Sequence, residues 1–135
     1  MALRISHLTF DAHDANAQAR WWAEALGWSE DPEDPNLPGD EECLIFAPDG
    51  RARLLFLEVA DDKVVKNRLH LDLVPTDRSR EAEVERLLAL GATQVGDHRR
   101  DDGSGWITLT DPEGNELCVL TSELDRTDPH AHLVH

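Results

Sequence analysis

Residues 7–14 read His-Leu-Thr-Phe-Asp-Ala-His-Asp and residues 70–77 read His-Leu-Asp-Leu-Val-Pro-Thr-Asp, so His, Leu and the closing Asp recur at an offset of 63 residues. A repeat constrains the fold strongly, because each copy must be one supersecondary unit that buries an apolar face against a neighbour. Each copy runs into a helical pattern. After the first, Ala15, Ala19, Trp22 and Leu26 recur at helical spacing between Asp14, a cap residue, and Gly27, a stop. After the second, Val84, Leu87 and Leu88 form the apolar stripe, with Asp77 or Ser79 as cap and Gly91 as stop. Polar connections then lead into two hairpins. One spans 42–47 and 51–59 around Pro48-Asp49-Gly50, the other 105–110 and 115–121 around Asp111-Pro112-Glu113-Gly114. The expected fold class is α+β, with two βαββ modules, 3–60 and 66–122, forming curved mixed sheets around a shared cleft. Together they make one domain over residues 1–124, followed by a polar tail, 125–135.

Composition narrows the partners. The chain has 135 residues, 40% hydrophobic and 30% charged, which suits one domain with a buried core. Thirteen Lys and Arg against 28 Asp and Glu leave a formal charge of -15. That balance argues against nucleic acid, whose phosphates are neutralised by Lys and Arg, and against anionic membranes. No apolar run approaches the roughly 20 residues that span a bilayer, and the opening Met-Ala-Leu-Arg-Ile-Ser-His lacks a signal-like apolar stretch. The expected location is the cytoplasm. Cys43 and Cys118 lie inside apolar runs without CxxC spacing and read as buried, reduced thiols. Residues 29–42, with three prolines and seven acids, read as a loop.

Side chains alternate across a strand, which sorts the repeated segments by face. Leu8 and Phe10 share one side of the first copy, and His7, Thr9 and Asp11 the other. In the second copy Leu69, Leu71 and Leu73 oppose Arg68, His70 and Asp72. The last strand sets Glu116, Cys118 and Leu120 against Leu117 and Val119. Two histidines and a carboxylate from separate strands can hold a divalent metal and leave positions open for substrate, so His7, His70 and Glu116 are the candidate ligands. The plain alternative is that each histidine is a hydrogen-bonded sheet residue. Arg68 and Asp72 flank His70 and suit an anionic substrate or a mutual ion pair. Thr9 lies on the same polar face as His7, and Trp106 reads as pocket lining or as packing. Trp21, Trp22 and Trp28 read as helix-core and helix-end residues, His13 as exposed, and His130, His132 and His135 as a tail tract. Walker, GxGxxG, GxSxG and HExxH motifs are absent from the sequence.

The opening His7-Leu8-Thr9-Phe10-Asp11 with Trp21-Trp22-Ala23-Glu24-Ala25-Leu26-Gly27, and the closing Asp111-Pro112-Glu113-Gly114-Asn115-Glu116, resemble the vicinal oxygen chelate superfamily. That group includes glyoxalase I, bleomycin-resistance proteins, fosfomycin-resistance enzymes and extradiol dioxygenases. Lys66-Asn67-Arg68-Leu69-His70-Leu71-Asp72-Leu73 is similar to the small bacterial glyoxalase-like domain proteins. The resemblance, over about residues 3–122, implies a homodimer. It implies a metal-dependent lyase, isomerase or dioxygenase acting on a small oxygen-bearing metabolite, with Zn, Ni, Mn or Fe held by His7 and His70. Glu116 is then the last-strand ligand and the catalytic carboxylate; from their own positions, Arg68, Asp72, Trp106 and Thr9 are the candidate substrate contacts. The sequence departs from the family pattern at two places. The usual last-strand Glu position holds Cys118, an alternative ligand as thiolate. The glyoxalase ligand on strand 51–59 falls near Leu57, while Glu58 faces the other way. These departures count against glyoxalase I activity itself and favour, as the alternative, a metal-free dimer that sequesters a small molecule such as an antibiotic.

Overall fold

The computed structural model describes residues 3–125 and divides the chain into two compact units, Met1–Asp62 and Lys63–His135. The His130, His132 and His135 tract lies outside the described residues. The first unit contains β1 (Leu8–Ala12), α1 (Ala15–Leu26), β2 (Glu42–Phe46) and β3 (Arg53–Glu58). The second contains β4 (Leu71–Leu73), α2 (Arg80–Ala89), β5 (Thr93–Asp97), β6 (Trp106–Thr110) and β7 (Glu116–Leu120). Each unit places a helix on a small mixed sheet, as the α+β repeat predicts. Among the described residues no helix is long and apolar enough to cross a membrane.

In the first unit, α1 starts where the Asp14 side chain accepts from Ala17 N at 3.0 Å and ends at Gly27, left-handed at φ 71°. Its three-stranded sheet has the order β1-β3-β2, with β1 and β3 parallel and β2 and β3 antiparallel. One face carries Phe10, Leu54, Phe56, Cys43 and Ile45, of which all but Phe10 are buried. The Phe10 ring packs at 5.4 Å from Trp22 and 5.3 Å from Phe56, so the helix stripe and the sheet close a single aromatic core. Thr9 and Asp11 stand opposite Leu55 and Leu57 on the other face, and Glu58 pairs with Ala12 instead. The alternation therefore turns Glu58 away from the Thr9 face.

In the second unit the sheet order is β4-β7-β6-β5, with β4 parallel to β7 and the other pairs antiparallel. Ser79 rather than Asp77 caps α2, accepting from Ala82 N at 3.1 Å. The turn before β7 is knotted by buried Asp111, whose carboxylate accepts from Glu113 N, Asn115 N and Asn115 Nδ2 at 2.9–3.0 Å. Two details differ from the sequence expectation. The polar connection after α2 contains β5, an exposed edge strand. Leu69, expected on the apolar face, is 83% exposed because β4 begins only at Leu71.

Candidate metal centre

Strand alternation and register decide what the second sheet presents. Ile107, Leu109, Leu117 and Val119 are all buried and make the face on which α2 packs through Val84 and Leu87. Trp106, Thr108 and Thr110 therefore share the opposite face with Glu116, Cys118 and Leu120. Asp72 joins them, because the parallel β4–β7 register sets it beside Cys118.

On that face the ligand atoms of His70, Asp72 and Cys118 lie within 4.8 Å of one another. His70 Nδ1 is 3.1 Å from Asp72 Oδ1, a carboxylate–imidazole contact that fixes the ring. Thr108 Oγ1 lies 3.7 Å from Cys118 Sγ. Burial pushes the Cys118 thiol above its ordinary value; the Thr108 contact works the other way and the Asp72 carboxylate adds to the rise. A cation at this point would reverse that balance, since ligation deprotonates a thiol. Around a tetrahedral ion with donors at about 2.0–2.3 Å, neighbouring donors lie roughly 3.3–3.8 Å apart, so the widest of these separations would have to close by up to about 1 Å on binding. Imidazole, carboxylate and thiolate are a chemically coherent donor set for a borderline divalent metal.

Glu116 is engaged differently. Its Oε1 accepts from Lys63 Nζ at 3.0 Å and its Oε2 from Asn67 N at 3.0 Å. Burial alone would raise its pKa, but the hydrogen bonds from Asn67 and Lys63 outweigh it and hold the carboxyl below its usual range. Arg68 is exposed on the segment that leads into β4. Trp106 is half-buried and stacks on His98, ring centroids 4.8 Å apart. His7 and Thr9 belong to the first unit; both are exposed, and His7 Nδ1 sits 3.0 Å from Ser6 Oγ. Sequence reasoning missed Thr108 as a neighbour of Cys118. The alternation of β6 is the signal that could have found it. It also missed Lys63, which lies 53 residues from Glu116 and carries no local signal.

A family described as glyoxalase-like domain matches residues 7–120. Among curated proteins none matches the chain's sequence significantly. Among solved structures, "Oxidase ChaP-H2" is similar with 25% identity and a TM-score of 0.62, over 90% of this chain and 94% of that one. The fosfomycin resistance protein FosX from Listeria monocytogenes is similar in fold, with a TM-score of 0.70 at 16% identity, over 98% of each chain. A FosX variant from the same organism, complexed with Mn(II) and 1S,2S-dihydroxypropylphosphonic acid, superposes with a TM-score of 0.65 at 18% identity, over 93% of this chain and 96% of that one.

Proposed function

The chain belongs to the glyoxalase-like domain family, and on that footing we propose that it is a divalent-metal-dependent enzyme acting on a small metabolite with adjacent oxygens. The observation that carries this reading is the convergence of His70, Asp72 and Cys118 on one face of the second sheet. The Mn(II) complex of a FosX variant supports it by analogy of fold. A thiolate in the set favours zinc or iron over manganese. When bound, such an ion supplies Lewis acidity to a substrate carbonyl or enolate. The protein's own part is orientation. Asp72 holds the imidazole of His70, Thr108 holds the sulfur of Cys118, and the apolar face beneath keeps the strands in register. Glu116, two residues before Cys118 on the same strand face, is the carboxylate proposed to move a proton. Lys63 and Asn67 keep it ionised, the state a base requires, at the expense of its basicity. The setting is a cytoplasmic homodimer, and light scattering on the purified protein tests the dimer.

Two ligand sets share His70: His7, His70 and Glu116 from the sequence pattern, and His70, Asp72 and Cys118 from the geometry. Zinc titration of untagged protein separates them. On the second set, Cys118→Ser and Asp72→Asn each weaken zinc at least tenfold, while His7→Ala and Glu116→Gln change it less than threefold. Affinity rises with pH, because the buried thiol must give up its proton on binding. No stoichiometric zinc, iron, nickel or manganese in the wild-type protein would sink the enzyme reading. The engagement of Glu116 by Lys63 favours the second possibility, a metal-free binding module. Such a module shows thermal shifts with organic ligands and none with divalent ions.

A further inference from the structure

Four positions of the second sheet fall in one register row: Gly96 opposite Thr108, Thr108 opposite Cys118, and Cys118 opposite Asp72. Three of them carry polar side chains on the face that holds the candidate metal centre. At the fourth, Gly96 has none, and its place is taken by a histidine two residues on. A Cβ built on Gly96 would lie 3.0 Å from His98 Nε2 and 3.7 Å from Thr108 Cβ, so the His98 imidazole lies over Gly96 on the same face as Thr108. The β5–β6 register slips between Gln94 and Gly96, and this irregularity brings the glycine into the row.

The His98 ring is held from several sides. It stacks on Trp106 with 28° between the planes, and His98 N donates to Trp106 O at 2.8 Å. Behind it, Gly105 passes so close that a Cβ there would be 2.1 Å from His98 O. Buried Arg80, in the first turn of α2, donates from Nη1 to Gly105 O at 2.9 Å and from Nη2 to Gly103 O at 3.1 Å. Thr121 Oγ1 also donates to Gly103 O, at 2.8 Å. Neither ring nitrogen of His98 has a hydrogen-bond partner among the described residues. His98 is exposed, so both ring nitrogens face solvent on a ring positioned by its stack against Trp106, and they are open to a ligand on this face.

We infer that His98 recognises the far polar end of a ligand whose near end, a pair of adjacent oxygens, is bound at His70, Asp72 and Cys118. Neighbouring strands lie about 4.8 Å apart, so the Gly96 and Cys118 positions are separated by roughly 10 Å. The ligand class is thus an elongated molecule with a chelating oxygen pair at one end and a carboxylate or other hydrogen-bonding group at the other. This inference rests on the metal reading above.

The test compares catechol with 3,4-dihydroxybenzoate, which adds a carboxylate opposite the oxygen pair, on zinc-loaded wild-type protein and two variants. His98→Phe keeps a ring against Trp106 but no hydrogen-bonding atom. Gly96→Ala keeps the imidazole but places a methyl 3.0 Å from its Nε2, so the ring must shift from its place over the strand. Wild type is expected to bind the carboxylate compound at least tenfold tighter than catechol. Both variants should narrow that preference to threefold or less with zinc affinity and thermal midpoint unchanged. Equal affinities in wild type, or a preference that survives in His98→Phe, overturn the inference while leaving the metal reading intact. Failure of the wild type to take up zinc overturns both.

Discussion

At Gly105 the backbone runs at φ 90° and has His98 O where a side chain would start. Both restrictions demand glycine. Gly105→Ala should lower stability by about 2 kcal/mol or more, from left-handed strain plus displacement of the His98 segment, read as a shift in the urea midpoint. Gly50→Ala, at φ 74° with nothing within 4 Å, meets the strain alone and should cost less. The sequence shows Gly105 only as the opening residue of a hairpin strand, since the group that excludes a side chain is seven residues away. His98 was illegible for a related reason. It lies just beyond β5, so no alternation rule gives it a direction, and its place depends on a glycine and a register slip. His70, Asp72 and Cys118 were each legible as residues of one polar face. Their closeness was not, because it needs the parallel β4–β7 register.

At the scale of elements, the Lys63–Asn67 segment is tied to β7 by Glu116. The carboxyl of Glu116 has a folded pKa below its ordinary value near 4.5, so its contribution is fully present above that value and is lost as pH falls through the folded pKa. Wild-type protein should therefore lose more stability between about pH 5 and pH 3 than Glu116→Gln does, measured by chemical denaturation at each pH. Helix α1 was readable to the residue, because Asp14 and Gly27 act through local backbone geometry that leaves a mark in sequence. Both hairpins were readable from their Asp-Gly and Pro-Glu-Gly turns. Strand β5 was not. Thr93-Gln94-Val95-Gly96-Asp97 has one large apolar side chain, itself exposed, and pairs on one edge only, so tertiary pairing with β6 rather than intrinsic pattern makes it a strand.

At the scale of the whole molecule, charge is the dominant sequence property. A formal charge of -15 on 135 residues implies self-repulsion that salt relieves. The thermal midpoint should rise by a few degrees between low salt and about 0.5 M sodium chloride, and an unchanged or falling midpoint would show that local ion pairs such as Asp97–Arg99 govern instead. The repeat at offset 63 was the whole-molecule feature most plainly written in the sequence, and it accounts for both helix-on-sheet units.

The slip between Gln94 and Gly96 also bears on crowding. Strand β5 is the outer strand of its sheet, and a straight outer strand offers a row of free amides and carbonyls on which foreign chains can polymerise. A strand that slips register midway and ends on charged Asp97 makes a poor template for a visitor. The irregularity that lets an imidazole cover a glycine thus also makes this edge a poorer template for strand addition.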